Sequence, residues 1–139
     1  MTATFRQAQQ DIMALVNQVG VDNSIKIVYE NTKDQVPTGN VPWAKVELRH
    51  FDGGQASLAN HAGKRRWRRD GVLWILLRVP IGGGLAMGYE IGQLFVNAIQ
   101  ATATDHCVWF RNVRLNEVGP DGAWYQMNVL ANFEYDQVV

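Results

Sequence analysis

The sequence predicts an α+β domain: a mostly antiparallel five-stranded sheet with two helices packed on it, in the order α-β-β-β-α-β-β. Three observations predict this class. Two stretches repeat apolar residues at steps of three and four, the period of a helix lying on a core. Five shorter stretches alternate apolar with polar residues, or run apolar, between clusters of Gly, Pro, Asn and Asp. The last two of these are separated by a short glycine-containing turn, which permits only an antiparallel pair. A length of 139 residues fits one domain, 1–139.

In order, Thr4 can cap a first helix whose apolar stripe is Phe5, Ala8, Ile12, Leu15, Val16 and Val19, with Gly20 as its stop. Ile25 to Glu30 is a short strand with Ile25, Ile27 and Tyr29 on one face. Pro37, Gly39 and Pro42 make the next stretch a loop. Trp43 to Phe51 alternates Val46, Leu48 and His50 with Lys45, Glu47 and Arg49, so one face meets water. Asp52, Gly53 and Gly54 are expected to end that strand and open a polar segment reaching Gly63, either a mobile loop or a long hairpin tip. Val72 to Val79 is apolar on both faces apart from Arg78, as a central strand covered on both sides would be.

Pro80 and the glycines at 82–84 lead into a second helix, about Leu85 to Gln100, with Met87, Ile91, Leu94, Phe95 and Ala98 facing the core. Gly84, Gly88 and Gly92 recur every four residues and predict close packing along one edge, since glycine otherwise costs helix stability. Cys107 to Leu115 is a strand whose apolar phase shifts near Asn112, which predicts a bulge. Gly119-Pro120-Asp121-Gly122 reads as a turn, and Trp124 to Asp136 as a strand with its odd positions in the core.

The apolar fraction of 47% against 19% charged residues excludes a disordered chain. Equal counts of basic and acidic residues leave no chain-wide attraction for nucleic acid. One cysteine allows no internal disulfide and fits a reducing compartment. No run of about 20 apolar residues and no leader pattern is present, so neither membrane insertion nor secretion is expected.

Catalysis has little support. The glycines at 82–84 match neither the dinucleotide fingerprint, where Met87 stands in place of the third glycine, nor the phosphate loop, where no Lys follows Gly88. His50, His61 and His106 show no metal-ligand spacing. His106 and Cys107 are strand neighbours that would point to opposite faces, and Cys107 reads as a small buried hydrophobe. Ser24 and Ser57, the only serines, lie in no nucleophile pattern. No catalytic, cofactor or metal residue is therefore assigned.

The sharpest local feature is the basic run that follows Lys64: Arg65, Arg66, Trp67, Arg68 and Arg69. Arg and Trp are favoured interface anchors, and the neutral whole argues for a protein partner over nucleic acid. Five tryptophans, several at strand edges, also point to association.

From residue 65 onward the chain resembles the tail terminator family of long-tailed bacteriophages, over about half its length. The resemblance rests on Arg68-Arg69-Asp70-Gly71 entering an apolar strand that ends at Pro80, then Gly82-Gly83-Gly84 and an alanine- and tyrosine-bearing helix. It continues through Val113, Glu117-Val118-Gly119-Pro120-Asp121-Gly122, Trp124-Tyr125-Gln126 and Phe133-Glu134-Tyr135-Asp136. It implies a non-enzymatic virion protein without cofactor, assembled in the host cytoplasm. Such a protein forms a hexameric ring on the head-proximal end of the tail tube, stops tube growth and presents a joining surface to the head. Its implied partners are copies of itself, the major tail tube protein and a head-completion or neck protein. Another neck or tail tube subunit, and a small-ligand-binding domain, are the alternatives.

Overall fold

The computed structural model describes residues 3–37, 39–55, 64–101, 104 and 106–138. Two helices and five strands follow in the order α1 (Phe5–Asn23), β1 (Lys26–Tyr29), β2 (Trp43–Gln55), β3 (Arg66–Pro80), α2 (Ala86–Ala101), β4 (Trp109–Asp121) and β5 (Trp124–Val138). The fold is α+β. The strands form one sheet in the order β1-β2-β3-β5-β4. β1 pairs with β2 in parallel, which makes the sheet mixed, and the other three pairings are antiparallel. A parallel neighbour needs a long connection, and the loop-forming residues 30–42 supply it.

Both helices pack on one side of the sheet. Ala8, Ile12, Val16 and Val19 of α1, with Phe95 and Ile99 of α2, meet Ala44, Val46, Leu73, Ile75, Leu77 and the odd residues 127–135 of β5. Thr4 begins α1 through a reciprocal cap: its hydroxyl accepts from the Gln7 N–H, and its own N–H donates to the Gln7 side chain. Gly20 does not end the helix as expected. The helix continues to Asn23 and closes at Ser24, whose φ is 56°. Gly20 is instead where the returning chain lies closest, since a β-carbon there would stand 2.8 Å from Ile27 and 2.9 Å from the Ile25 carbonyl. Phe5 is also displaced from the expected stripe and is 54% exposed.

β2 runs through Asp52, Gly53 and Gly54 to Gln55, past the predicted stop. A bulge between His50 and Asp52 absorbs the change of phase, and β3 supplies partners out to Trp67. The rest of the predicted loop, 56–63 with His61 and Ser57, lies outside the described residues.

α2 is rotated from its predicted facing. Its buried residues are Gly88, Gly92, Phe95 and Ile99, while Met87 and Leu94 are exposed. A β-carbon on Gly88 would meet the Met127 sulfur at 2.6 Å, and one on Gly92 would meet Leu115 at 2.3 Å. The predicted close packing therefore exists at these two glycines; of the expected stripe, Phe95 is buried and Ile91 and Ala98 pack on the core, while Met87 and Leu94 face outward.

β4 begins at Trp109, leaving Cys107 exposed before it with φ 55°. The expected buried role of Cys107 is corrected by that left-handed turn. The bulge near Asn112 is present, with φ 52° there and a register shift between Arg111 and Arg114. The turn begins three residues later than predicted: Gly119 to Asp121 belong to β4, and Gly122 with Ala123 closes the hairpin. Gly122 takes φ 62°, a geometry that suits the first central position of a two-residue turn.

Candidate functional site

Strand alternation divides the basic run between two environments. Arg65 precedes β3 and is exposed. Arg66 and Arg68 project from the face away from the helices, while Trp67 and Arg69 share the helix side with Leu73 and Ile75. The structure therefore does not gather the five residues into one patch.

On the face without helices, Arg66 and Arg68 enter an ion-pair cluster across three strands. Arg66 lies 3.6 Å from Asp136, Arg68 lies 3.2 Å from Asp70 and 3.9 Å from Glu134, and Arg111 of β4 lies 3.4 Å from Glu134 and 3.9 Å from Asp70. The three guanidinium groups are half-exposed and lie over the acids, and Asp70 is only 4% exposed. Solvent screening limits each exposed pair to about 0–1 kcal/mol. Their joint effect is to neutralise the basic run locally, which weakens its attraction for nucleic acid further. Sequence reasoning missed this because Glu134 and Asp136 are remote in the chain; their outward phase on β5 was the available signal.

On the helix side, Arg69 spans two aromatic rings, 5.4 Å from the centre of Phe5 and 5.8 Å from that of Trp67, and its Nε donates to Gln137 at 2.9 Å. Beside it, His50 Nε2 lies 2.6 Å from the Tyr135 hydroxyl, with Phe5 and Phe133 edge-on to the imidazole. Burial, with Arg69 as a second cause, holds the His50 pKa below its ordinary value. Burial pushes the Tyr135 phenol up to about 12 against the opposing pull of Arg69. Both groups are thus neutral near pH 7, and one hydrogen bond joins the phenol to the imidazole.

His106 is separate from this pair. Its N–H donates to Asp11 Oδ2 at 2.8 Å, and its Nδ1 lies 2.9 Å from Asp11 Oδ1, tying the segment before β4 to α1. Cys107 lines a shallow depression of about 490 Å³ with Ile99, Val108 and Phe110; His106 is not part of that lining. Among the described residues no three metal-ligating side chains converge, and no helix is long and apolar enough to cross a membrane.

The face away from the helices has a further character. An antiparallel sheet open to water on one side normally presents polar residues there. Here Val72, Trp74 and Leu76 of β3 and Leu130 of β5 form an apolar centre. Trp43, Trp74, Trp109 and Trp124, four of the five tryptophans, lie on this face. Trp43 and Trp124 meet edge-on at 6.2 Å, and the Arg78 guanidinium lies 5.9 Å from the Trp43 ring. Trp43 Nε1, Arg78 Nη1 and Asp70 Oδ1 are buried polar atoms without a hydrogen-bond partner, and all three belong to this face.

No family model and no curated protein matches the sequence. Twelve solved chains match in structure. One superposes with a TM-score of 0.62 at 15% identity, over 91% of this chain and 94% of its own; at that identity the likeness concerns the fold.

Proposed function

We propose that this protein is a virion assembly protein of the tail terminator kind, forming a homohexameric ring that caps the head-proximal end of a phage tail tube and offers the joining surface for the head. The observation that carries this reading is the sheet face away from the helices, which no described element covers and which holds four tryptophans and three buried polar atoms without a hydrogen bond. Large aromatics and desolvated polar groups are what a protein partner covers and completes. The resemblance from residue 65 onward specifies which kind of assembly. The ring acts by blocking addition of tube subunits and needs no catalytic group. The tube protein and a head-completion or neck protein are its other partners.

The test is to purify the protein, measure its mass by light scattering across concentration, and mix it with the tail tube protein of the same phage. Electron micrographs should show closed rings and tubes that stop growing at one capped end. Tubes that grow unchecked, with no protein at their ends, would overturn the reading. Long fibres of this chain alone would instead make it a tube subunit.

A further inference from the structure

We infer that the uncovered sheet face of one copy receives the outer side of α2 of the next copy, with Glu90 placed against Arg78. The inference rests on the self-assembly reading and names the surfaces that assembly uses. Rotation of α2 onto its glycines leaves Met87, Glu90 and Leu94 outward on one stripe, at steps of three and four. Met87 is 45% and Leu94 37% exposed, an apolar surface with nothing over it among the described residues. The sheet face offers the matching apolar centre of Trp74, Leu76 and Leu130.

Charge selects this pairing. α1 and α2 together carry one base, Arg6, against Asp11, Asp22 and Glu90. Near the end of β3, beside that apolar centre, the sheet face carries Arg78, which has no carboxylate within ion-pair distance among the described residues, and one of its Nη atoms is buried without an acceptor. Lys45 beside it is already 3.5 Å from Glu47. Glu90 likewise has no ion-pair partner among the described residues; Lys26, which lines the same surface depression, pairs with Asp34 at 4.0 Å. A cation with an aromatic ring but no carboxylate beside it, on an apolar face, and an anion with no base beside it, on an apolar stripe, are complementary. The dimensions agree: α2, with 16 residues, is about 24 Å long, and five strands about 4.8 Å apart span roughly 19 Å.

This contact joins two different surfaces, so it is heterologous and generates a ring or a fibre. Charge exchange tests it. Arg78→Glu and Glu90→Arg should each weaken self-association at least tenfold, read as mass against concentration. The double variant, and an equimolar mixture of the two singles, should regain it. A contact between like faces would leave the double variant as weak as the singles. Single variants that assemble as the wild type does, or a folded double variant that fails to regain mass, would overturn the inference.

Should Arg78→Glu fail to fold, cysteines at 78 and 90 in a Cys107→Ala chain decide instead. The two positions lie on opposite sides of the sheet, so they cannot bridge within one copy. Oxidation should give a ladder of covalent multimers, and its absence overturns the proposal. Tube capping is measured separately, so normal capping without the charge pattern would reject these surfaces and keep the functional reading.

Discussion

His50 occupies a position where proton binding and aromatic packing compete. Its ring is enclosed by Phe5, Phe133 and Tyr135, and Arg69 is the cation beside it. Both disfavour the imidazolium, so the folded state binds its proton less readily than the unfolded chain does. Stability is then full above the ordinary histidine range near pH ~6.5 and falls as the pH drops through that value toward the lowered folded one. Thermal melts should show a declining Tm between about pH 7.5 and about pH 5, and His50→Gln, which keeps an acceptor for Tyr135, should flatten that decline. An unchanged slope in the variant would remove His50 from the account. Nothing in the sequence marked this residue beyond its inward phase on β2, because its ring partners come from α1 and from β5, at the two ends of the chain.

At the scale of the element, periodicity was a good guide and local stop signals were a poor one. α1, β3 and β5 are long, and their apolar phase repeats often enough to be read directly. β2 passed through Asp52-Gly53-Gly54 because β3 pairs with it there and Arg69 fills the space above Gly53, 2.7 Å from where a β-carbon would be. The parallel placement of β1 left no local mark, since pairing direction is decided by a distant strand. The facing of α2 holds at Ile91, Phe95 and Ala98 but fails at Met87 and Leu94, because Gly88 and Gly92, empty of side chain, draw the helix onto that edge.

Glycines of similar appearance should therefore behave differently. At Gly71 a β-carbon would stand 2.3 Å from the Arg49 carbonyl and 2.2 Å from Phe133. Gly71→Ala should lose about 1–3 kcal/mol in denaturant titration, because backbone cannot move aside cheaply. At Gly88 the obstruction is the end of the flexible Met127 side chain, and alanine gains helix propensity. Gly88→Ala should stay within about 1 kcal/mol of the parent.

The basic run behaves as part of a cross-strand element rather than as a free patch. Arg66→Glu combined with Arg68→Glu leaves Asp70, Glu134 and Asp136 with Arg111 as their remaining cation in the cluster. The double variant should melt at lower temperature than the parent, and added salt should narrow the gap by screening the repulsion. A melting temperature equal to the parent's at low salt would show the cluster to be energetically idle.

For the whole molecule, the neutral total conceals a local division: α1 and α2 carry Arg6 against Asp11, Asp22 and Glu90, while Arg78 on the sheet face has no carboxylate in ion-pair reach among the described residues. That division was invisible in composition, because only the alternation of strands and the facing of helices sorts charges by side. It gives assembly a direction: each copy offers one surface and accepts the other. Whether such growth closes depends on the rotation between successive copies, and closed rings with capped tubes are the expected images.

The strand order carries a temporal consequence. β3 is the centre of the sheet, yet one of its two neighbours, β5, is the last of the seven elements to be synthesised, and α2 and β4 lie between them in the chain. The N–H of Ala3 also donates to the Asp136 carbonyl, so the first described residue waits for nearly the last. Until β5 arrives, the most apolar strand has an open edge, which is a template for pairing with other nascent chains. Folding of this domain is a late event governed by long-range closure, and an interrupted chain lacking β5 is one that cells would hand to chaperones or proteases.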